Sequence, residues 1–353
     1  MKRAFITGVT GQDGAYLAEY LLRQQYQVYG GCRRSSSQTF WRLKELGVLD
    51  HERFSLIDHD LTDAGASVRA ISQAKPDEVY NLGAQSFVRV SFDQPSTTAQ
   101  ISGLGAQNVM EAIRIVNPGI RMYQASSAEM FGKVQQTPQD ESTPFYPRSP
   151  YGVAKLFAHW SAINYRESYD MFVSCGILFN HESPLRGPEF VTRKIALAAA
   201  RIASGHREVL ALGNMNARRD WGFSGDYVQG MHRMLQADSP DVFVMATGVN
   251  WSVREFTAWA FEAAGIDLVW EGEGVQEVAR CARKGDVLVK VDPHHFRPAE
   301  VETLLGCPDY AEARLNWRPK VQAEQLAKLM VDADLARLSG SEPVLHPAAL
   351  LAA

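Results

Sequence analysis

Residues 4–14 read AFITGVTGQDG: four residues typical of a buried strand, then a turn with glycine at positions 8, 11 and 14. Apolar residues at helical spacing begin immediately afterwards and continue over residues 15–24. The glycines allow backbone N–H groups to approach a pyrophosphate, which the N-terminus of the following helix then stabilises. The Gly-x-x-Gly-x-x-Gly spacing differs from that of simple dehydrogenases, and a structural turn without a ligand is the alternative. The stretch predicts a dinucleotide-binding strand–turn–helix unit.

Strand-like and helix-like segments alternate over the first half of the chain. Short apolar runs predict strands at residues 4–7, 27–31, 54–57, 78–82, 121–125 and 172–178. Helical spacing predicts helices over residues 15–24, 66–74, 99–116 and 151–169. Because the strands are too apolar to have a solvated face, the alternation predicts an α/β fold, a doubly wound parallel sheet with helices on both sides.

The second half of the chain is organised differently. From about Asn180, proline and glycine interrupt shorter helical and mixed segments. We expect a core domain over residues 1–182 and a smaller mixed domain over 183–338 that covers the substrate, with some segments returning to the core. A chain of 353 residues has room for both. Residues 339–353 are rich in Ser, Pro and Ala without a clear period, and they predict a loose tail.

Composition and charge exclude several classes of protein. The chain is 46% hydrophobic and 22% charged, and 36 basic against 40 acidic residues give a net charge of −4. That charge argues against recruitment by nucleic acid or an anionic membrane. The four cysteines form no CxxC pair and the nine histidines have no metal-ligand spacing, so we expect reduced thiols and no metal site. Without a signal peptide or a bilayer-length apolar run, the expected location is cytoplasmic.

The end of the second predicted strand carries the signal for the type of dinucleotide. An acidic residue there would accept hydrogen bonds from the 2′-hydroxyl of the adenosine ribose, whereas arginine accommodates a 2′-phosphate. This strand runs into Arg33, Arg34 and three serines at positions 35–37. Two guanidinium groups and several hydroxyls suit a phosphate, so the sequence predicts NADP over NAD. A solvated basic loop is the alternative.

Two short segments carry the candidate catalytic groups. Tyr151 and Lys155 stand at i and i+4 of a predicted helix and share one face, where the ammonium is expected to lower the pKa of the phenol. Ser127 and Glu129 follow the fifth predicted strand, at the edge where α/β sheets bind ligands. Ser127 can steer a substrate hydroxyl, and Glu129 can move a proton beside a transient ketone. A turn serine and a helix-start carboxylate are the structural alternatives.

Basic residues cluster locally in the second half. The window 182–220 holds seven basic residues against four acids, and a subset that converges on a cleft would bind a diphosphate. The seven are Arg186, Arg193, Lys194, Arg201, Arg207, Arg218 and Arg219. We expect Arg201 and Arg207 to be solvated. Arg297 and Glu300, on a proline-interrupted loop, suit phosphate and ribose contacts respectively, and His181 could contact the cofactor.

The chain resembles the GDP-mannose 4,6-dehydratases, a family of the extended short-chain dehydrogenase/reductase superfamily, over nearly all of residues 3–337. The motifs that carry the resemblance are TGVTGQDG at 7–14, RRSS at 33–36, NLGAQS at 81–86, PFYPRSPY at 144–151, GILFNHESP at 176–184, FVTRK at 190–194, RDWG at 219–222 and FRPAEV at 296–301. These strings are long and distributed along the chain, so together they are far more specific than any single motif.

The resemblance implies an NADP-binding Rossmann domain, a smaller C-terminal domain for a GDP-sugar, and a homo-tetramer or homo-dimer with residues 33–37 near a neighbouring subunit. The implied catalytic residues are Ser127, Glu129, Tyr151 and Lys155. The implied NADP-binding residues are Gly8, Thr10, Gly11, Gln12, Asp13, Gly14, Arg33, Ser36, Asp60, Leu61, Leu82, Gly83, Ala84, Gln85, Ser86, Lys155, His181 and Arg186. The implied substrate-binding residues are Ser86, Asn180, Lys194, Arg219, Arg297 and Glu300.

The implied reaction is conversion of GDP-mannose to GDP-4-keto-6-deoxymannose and water, but one motif departs from the family. Where the family usually has Ser-Thr-Ser-Glu, residues 126–129 read Ser-Ser-Ala-Glu, so a methyl group and a hydroxyl are lost. A GDP-manno-heptose is therefore an alternative substrate. Two more functions stay open: a sugar-nucleotide reductase or epimerase, which would not need Glu129, and a non-catalytic dinucleotide-sensing regulator.

Overall fold

A parallel sheet of seven strands is the centre of the computed structural model, which describes residues 1–36, 40–295 and 303–347. The strands are β1 (Arg3–Thr7), β2 (Gln27–Cys32), β3 (Phe54–Asp58), β4 (Glu78–Asn81), β5 (Arg121–Ser127), β6 (Val173–Leu178), β7 (Asn180–Glu182), β8 (Leu210–Leu212), β9 (Arg218–Arg219), β10 (Trp221–Phe223), β11 (Val242–Met245), β12 (Trp251–Ser252), β13 (Leu268–Glu271), β14 (Val278–Cys281) and β15 (Val287–Val291). The central sheet has the order β11-β6-β5-β4-β1-β2-β3, and all its pairs are parallel.

Helices cover both faces of this sheet. They are α1 (Gln12–Arg23), α2 (Trp41–Glu45), α3 (Ala64–Ala74), α4 (Val88–Asp93), α5 (Pro95–Thr98), α6 (Gly105–Val116), α7 (Pro150–Tyr169), α8 (Val191–Ala203), α9 (Ser224–Gln236), α10 (Val253–Ala263), α11 (Asp309–Leu315) and α12 (Ala323–Ser339). A π-helical segment, Ala99–Leu104, joins α5 to α6, and short 3-10 turns lie at Ala128–Met130, Gly274–Gln276 and Pro293–His295.

Alternation along the strands divides the core into two layers. Phe5 belongs to the cluster formed with α3, α6 and α7, whereas its neighbours Ala4 and Ile6 belong to the cluster on the other side. Successive side chains of a strand point to opposite faces, so both faces of β1 are apolar and both must be covered. The predicted doubly wound parallel sheet is therefore confirmed.

The seventh strand comes from the second half of the sequence. Val242–Met245 pairs in parallel with β6, and the six strands predicted from the first half supply the rest of the sheet. This strand was not predicted, because a four-residue apolar segment between Pro240 and Gly248 gives only a weak periodic signal. The predicted helix over residues 99–116 is divided between the π-helical segment and α6.

The remaining described strands form small sheets beside the carboxyl edge of the central one. β13, β14, β15 and β8 form a four-stranded sheet, while β10 pairs with β7 and β12 pairs with β9. The predicted division of the chain at residue 182 stays a prediction. Strand β11, from after residue 182, lies in the central sheet, and β7, from before the division, pairs with β10 from after it. Within the described ranges, every helix is too short or too polar to cross a membrane.

The segment after α12 packs against the first helix. The Tyr16 hydroxyl donates to the Leu345 carbonyl at 2.8 Å, and His346 Nε2 lies 2.9 Å from a Glu19 carboxylate oxygen. The Leu345 side chain is buried. This differs from the loose tail that the composition of residues 339–353 predicted, because one apolar side chain and one histidine find partners on α1. Residues 348–353 lie outside the described residues.

Candidate active site

The glycine turn between β1 and α1 brings two backbone segments into close contact. Gly8 has φ +69°, and a Cβ placed on it would lie 2.8 Å from the Gly83 Cα. A Cβ on Gly14 would lie 2.5 Å from the Gly8 carbonyl oxygen. No larger residue fits at these two positions without moving the backbone. The turn therefore has the compact form that a bound pyrophosphate requires.

Asp13 anchors this turn to the second half of the chain. Its carboxylate lies 2.8 Å from His181 Nε2 and accepts hydrogen bonds from the Ser224 hydroxyl and the Gln12 amide at 2.9 and 3.0 Å. Burial alone would raise the pKa of Asp13, but the His181 charge and hydrogen bond lower it well below its ordinary value. Burial opposes the imidazolium, yet Asp13 raises the pKa of His181. The structure thus holds two predicted cofactor residues together as an ion pair.

A cavity of about 670 Å³ lies beside the ends of β2 and β3. It is lined by Thr10, Cys32, Arg33, Arg34, Ser35, Phe40, Asp58, His59, Asp60, Ala66 and Arg69. Hydrogen bonds from Thr62 lower the pKa of Asp60, and the Arg33 charge contributes to the same shift. Guanidinium and hydroxyl donors beside an ionised carboxylate fit a phosphorylated ribose, which needs both donors and an acceptor. Ser36 follows this cluster and is exposed.

The segment after β4 separates this cavity from a second one. Leu61 packs against this segment: a Cβ on Gly83 would be 2.6 Å from the Leu61 Cδ1. The Gln85 N–H donates to the Ser102 hydroxyl at 3.0 Å, and the Gln85 side-chain oxygen is buried without a hydrogen-bond partner among the described residues. A buried acceptor without a partner costs stability, so it marks a position where a bound donor would be stabilised. Leu82, Ala84 and Ser86 line the second cavity.

That second cavity, of about 360 Å³, lies at the carboxyl edge of the central sheet. The predicted residues that it brings together are Asp13, Leu82, Ala84, Ser86, Ser127, Glu129, Tyr151, Lys155, Asn180, His181, Arg186, Lys194 and Arg219. Residues of the first cavity, the buried Gln12 and the glycines of the turn lie next to it. Arg297 and Glu300 lie outside the described residues. In the described ranges, no three His, Cys, Asp or Glu side chains are grouped to hold a metal ion.

The four predicted catalytic groups occupy one wall of this cavity. Helix α7 starts at Pro150, and the Ser149 hydroxyl caps it by accepting from the Gly152 N–H at 3.0 Å. This start places Tyr151 on the first turn, where the Ser127 side chain acts to lower the pKa of its phenol. The Ser127 hydroxyl also accepts from the Glu129 N–H at 3.2 Å. The Lys155 ammonium donates to the Ala125 carbonyl at 2.9 Å.

Burial dominates the protonation of the Tyr–Lys pair. Desolvation raises the pKa of Tyr151 to about 12, although its hydrogen bond with Ser127 acts in the opposite direction. Desolvation also lowers the pKa of Lys155 to about 8. The expectation that the ammonium lowers the phenol pKa is therefore wrong for the chain alone. The Lys155 Nζ points at a carbonyl and lies 5.8 Å from the Tyr151 ring centre, and both groups are poorly solvated.

The same cavity also has basic lining residues. Lys194 donates to the Ala211 carbonyl at 2.6 Å and lies 3.2 Å from His295 Nε2, while the buried Arg219 donates to the Arg218 carbonyl at 2.9 Å. Asn180, at the start of β7, also lines the cavity. Arg186 stacks on Phe190, with its guanidinium carbon 3.5 Å from the ring centre, and pairs with Glu182 at 3.0 Å. The cationic groups of this cavity suit the anionic part of a sugar derivative, and its proton-transfer groups suit the sugar.

Only part of the predicted basic cluster reaches this cavity. Of its seven members, Arg186, Lys194 and Arg219 line the cavity in the described part of the chain. Arg193 is buried instead against Asp334 of α12. Arg201 pairs with Glu208 at 3.2 Å, away from the cavity, and is half-buried rather than fully solvated. Neighbours in a helix point in different directions, so charge density along the sequence could not separate these roles.

Sequence reasoning missed Arg42, which joins two walls of the site. Its Nε donates to the Leu185 carbonyl at 2.6 Å and its NH1 to the Thr10 carbonyl at 3.2 Å. The first contact holds the segment before α8, and the second holds the glycine turn. Arg42 lies on a five-residue helix whose sequence, WRLKE, looks like a solvated surface, so only the tertiary contacts reveal it.

Comparisons with known proteins agree with this geometry. A protein-family model described as GDP-mannose 4,6 dehydratase matches residues 5–330. A GDP-mannose 4,6-dehydratase of Vibrio cholerae is 50% identical over 349 residues, which cover 95% of this chain and 94% of the relative. The GDP-mannose 4,6 dehydratase of Homo sapiens is 49% identical over 339 residues, which cover 94% of this chain and 91% of the relative.

Solved structures share the fold at lower identity. DesIV, a dTDP-glucose 4,6-dehydratase from Streptomyces venezuelae with NAD and TYD bound, has a TM-score of 0.80 at 21% identity, covering 97% of this chain and 99% of its own. RMD from Pseudomonas aeruginosa, complexed with NADPH, has a TM-score of 0.74 at 21% identity, covering 96% and 100%. These two likenesses show the fold.

The depressed pKa of Lys155 predicts a pH-dependent stability. Between pH 8 and its ordinary pKa of 10.5, the unfolded chain binds more protons at this residue than the folded chain, so this residue's contribution to the unfolding free energy increases with pH. In Lys155→Met that contribution is absent. From about pH 8 to about pH 10, urea unfolding should show the wild type gaining roughly 2 kcal/mol relative to the variant. Lys328→Met, at an exposed position, is the control, and parallel curves for wild type and Lys155→Met would contradict the assignment.

Proposed function

Because the chain belongs to the GDP-mannose 4,6-dehydratase family, we propose that it converts GDP-mannose to GDP-4-keto-6-deoxymannose and water, using NADP for an internal hydride transfer. The observation that carries this proposal is the shared cavity wall: Ser127, Glu129 and Tyr151 lie together beside the glycine turn. A simple alcohol dehydrogenase needs the phenol but has no use for the additional carboxylate.

The chain's own groups manage the protons of this reaction. Tyr151, steered by Ser127, takes the proton of the sugar 4-hydroxyl. NADP, when bound in its oxidised form, supplies the acceptor for the carbon 4 hydride, its return to carbon 6, and a positive charge that favours the phenolate. The ketone at carbon 4 acidifies carbon 5, and Glu129 removes that proton while assisting loss of the 6-hydroxyl as water. Glu129 passes the carbon 5 proton to the departing hydroxyl, and Tyr151 returns the proton of the 4-hydroxyl to carbon 5, so the protons and the hydride balance without an external reductant.

The residues that would hold NADP fall in two groups. The glycine turn at the N-terminus of α1 would hold the pyrophosphate, and the Asp13–His181 pair would anchor that turn. Arg33, Ser36 and Asp60 would hold the phosphorylated ribose, and Gln85 carries the buried acceptor between the two cavities. The narrow turn, the orphaned acceptor and the guanidinium donors together support NADP as the cofactor.

The basic lining residues of the cavity support a GDP-sugar as the substrate. Asn180, Lys194 and Arg219 line the same cavity as Glu129, and we assign them to the nucleotide diphosphate. Arg297 and Glu300 keep the roles that their motif implies, although they lie outside the described residues. A GDP-manno-heptose would occupy the same nucleotide end and differ only beyond carbon 5 of the sugar.

A homo-oligomer in the cytoplasm is the remaining part of the proposal. One face of the described chain is apolar and exposed: Leu104, Tyr146, Val153, Phe157 and Trp160 are each 45–56% exposed. We call these five residues the apolar face. Contiguous exposed apolar residues of this size are characteristic of protein–protein interfaces. The face includes the outer side of α7, so a second copy seated there would contact the helix that carries Tyr151.

Glu129→Gln should abolish water loss while leaving nucleotide binding intact, because the amide cannot accept the carbon 5 proton. We expect kcat to fall at least about 100-fold, with NADP affinity unchanged. Mass spectrometry of the products, with GDP-mannose and a GDP-manno-heptose as substrates, measures the loss of water. Glu271→Gln, at an exposed ion pair, is the control. Turnover of Glu129→Gln at the wild-type rate would overturn its role, and net consumption of NADPH by the wild type would favour a reductase.

Arg33→Ala tests the choice of dinucleotide. The variant loses a charged donor to the 2′-phosphate but nothing that NAD contacts, so NADP affinity should fall about 10- to 100-fold with NAD affinity unchanged. Calorimetric titration of wild type and variant with both dinucleotides measures this. A wild-type preference for NAD, or an equal effect of Arg33→Ala on both, would contradict the proposal.

Trp160→Glu tests the oligomer. A carboxylate on the apolar face cannot be desolvated without a partner, so the mass measured by light scattering should drop to that of a monomer. Val275→Glu is the control, because Val275 is equally exposed but lies outside the apolar face. A wild-type chain that is monomeric, or a Trp160→Glu variant that keeps the oligomeric mass, would overturn this part of the proposal.

A further inference from the structure

Helix α7 is attached to the end of β5 at three successive levels. A Cβ on Gly152 would lie 2.7 Å from the Glu129 carbonyl oxygen, so the two backbones touch. One turn later the Lys155 ammonium donates to Ala125. A further turn along, His159 Nδ1 lies 2.8 Å from the Ser126 hydroxyl oxygen. Residues 152, 155 and 159 share one face of the helix, which is the face that meets the strand.

The third contact is buried and uncharged. His159 and Ser126 are each 2% exposed. Burial lowers the pKa of His159 to about 4, and Arg166 is the charged group that adds to this shift, so the ring is neutral near pH 7. The edge of the Phe145 ring packs against the imidazole at a centroid distance of 5.3 Å.

Ser126 and the catalytic Ser127 are adjacent residues of one strand. Their side chains therefore point to opposite faces. The Ser126 hydroxyl is held on the face covered by α7, where it contacts His159. Ser127 therefore points to the other side, toward Tyr151 and the Glu129 N–H. A rotation of the strand end that freed Ser126 would move Ser127 by a similar amount.

We propose that Ser126 and His159 form a positioning pair, which fixes the end of β5 against α7 so that Ser127 and Glu129 keep their distance from Tyr151. Ser126 lines the cavity but its hydroxyl is directed to His159, and His159 does not line the cavity. The pair rests on the proposed function for its effect on catalysis but not for its effect on the strand end. Displacements of about 1 Å between reacting groups cost on the order of 100-fold in rate.

The experiment separates the effect of side-chain shape at position 159 from the effect of its hydrogen bond to Ser126. His159→Leu keeps an apolar side chain of similar breadth and removes the ring nitrogens, whereas His159→Asn retains a polar atom near the position of Nδ1. Ser126→Ala removes the partner with the smallest change of volume. We expect kcat with GDP-mannose to fall about 10- to 100-fold in His159→Leu and Ser126→Ala, with KM within about 2-fold of wild type, and His159→Asn to restore most of the loss. The double variant should be no slower than His159→Leu, because both changes remove one contact.

A control separates positioning from general loss of packing. His232 is another partly buried histidine, 3.1 Å from the Tyr26 hydroxyl and away from the cavity. His232→Leu should lower the thermal midpoint as His159→Leu does, but leave kcat unchanged. A wild-type kcat in His159→Leu would overturn the proposal. So would a loss of kcat in His159→Leu that His159→Asn does not restore, if Ser126→Ala keeps the wild-type kcat. If His159→Leu does not fold, Ser126→Ala alone decides: a reduced kcat supports the pair and an unchanged kcat overturns it.

A second measurement needs no substrate. Amide hydrogen exchange of the peptide covering residues 125–130 should be faster in Ser126→Ala and His159→Leu than in wild type, and unchanged in His232→Leu. Unchanged exchange in Ser126→Ala would overturn the pair. A wild-type chain that removes no water from GDP-mannose would instead overturn the proposed function, and the exchange result would still decide whether Ser126 and His159 hold the strand end.

Discussion

The contact between Gly152 and the Glu129 carbonyl sets the dimensions of the site. At this point α7 approaches β5 so closely that a single added carbon would lie 2.7 Å from the carbonyl oxygen. Tyr151 precedes Gly152, and the two functional side chains of the opposing segment flank Ala128. If the backbones were further apart, the Tyr151 phenol would lie further from Ser127, whose side chain acts to lower the phenol pKa. The Tyr-x-x-x-Lys and Ser-x-Glu motifs therefore act together only because the residue after the tyrosine is glycine.

Desolvation is the second constraint, and it dominates the protonation of Tyr151 and Lys155 beside this contact. It keeps the Tyr151 phenol protonated and weakens the hold of Lys155 on its proton. The Asp13–His181 pair overcomes the same penalty because two opposite charges and several hydrogen bonds meet there. The chain thus supplies a stable charge pair at the phosphate turn and poorly stabilised charges at the phenol. Such an arrangement makes proton movement at Tyr151 dependent on what binds beside it.

Local sequence patterns were sufficient to predict six strands of the central sheet and the grouping of Tyr151 with Lys155. They were insufficient to predict contacts between distant segments. Strand periodicity, the glycine turn and the i, i+4 spacing of Tyr151 and Lys155 are properties of a few consecutive residues, and the structure contains the elements they predict. By contrast, β11 pairs with β6 across a long intervening stretch of chain, and Arg193 is paired with Asp334 of α12. No local signal specifies those partners. The pKa of Tyr151 was misjudged for a related reason, since burial comes from the whole fold.

The departure of residues 127 and 128 from the family pattern can now be placed. Ala128 is buried in an apolar cluster with Met130, Phe131 and Ile177, where a serine hydroxyl would need a partner. The exchange therefore changes apolar packing in the cavity wall itself. Ser127 lacks the methyl group of threonine, but its hydroxyl still accepts from the Glu129 N–H and acts to lower the pKa of Tyr151. Serine at position 127 has more rotamer freedom than threonine would have. The buried hydrogen bond between the preceding Ser126 and His159 holds the strand in place and so offsets that freedom. Both departures are thus compatible with unchanged chemistry at carbons 4, 5 and 6 of a mannose ring.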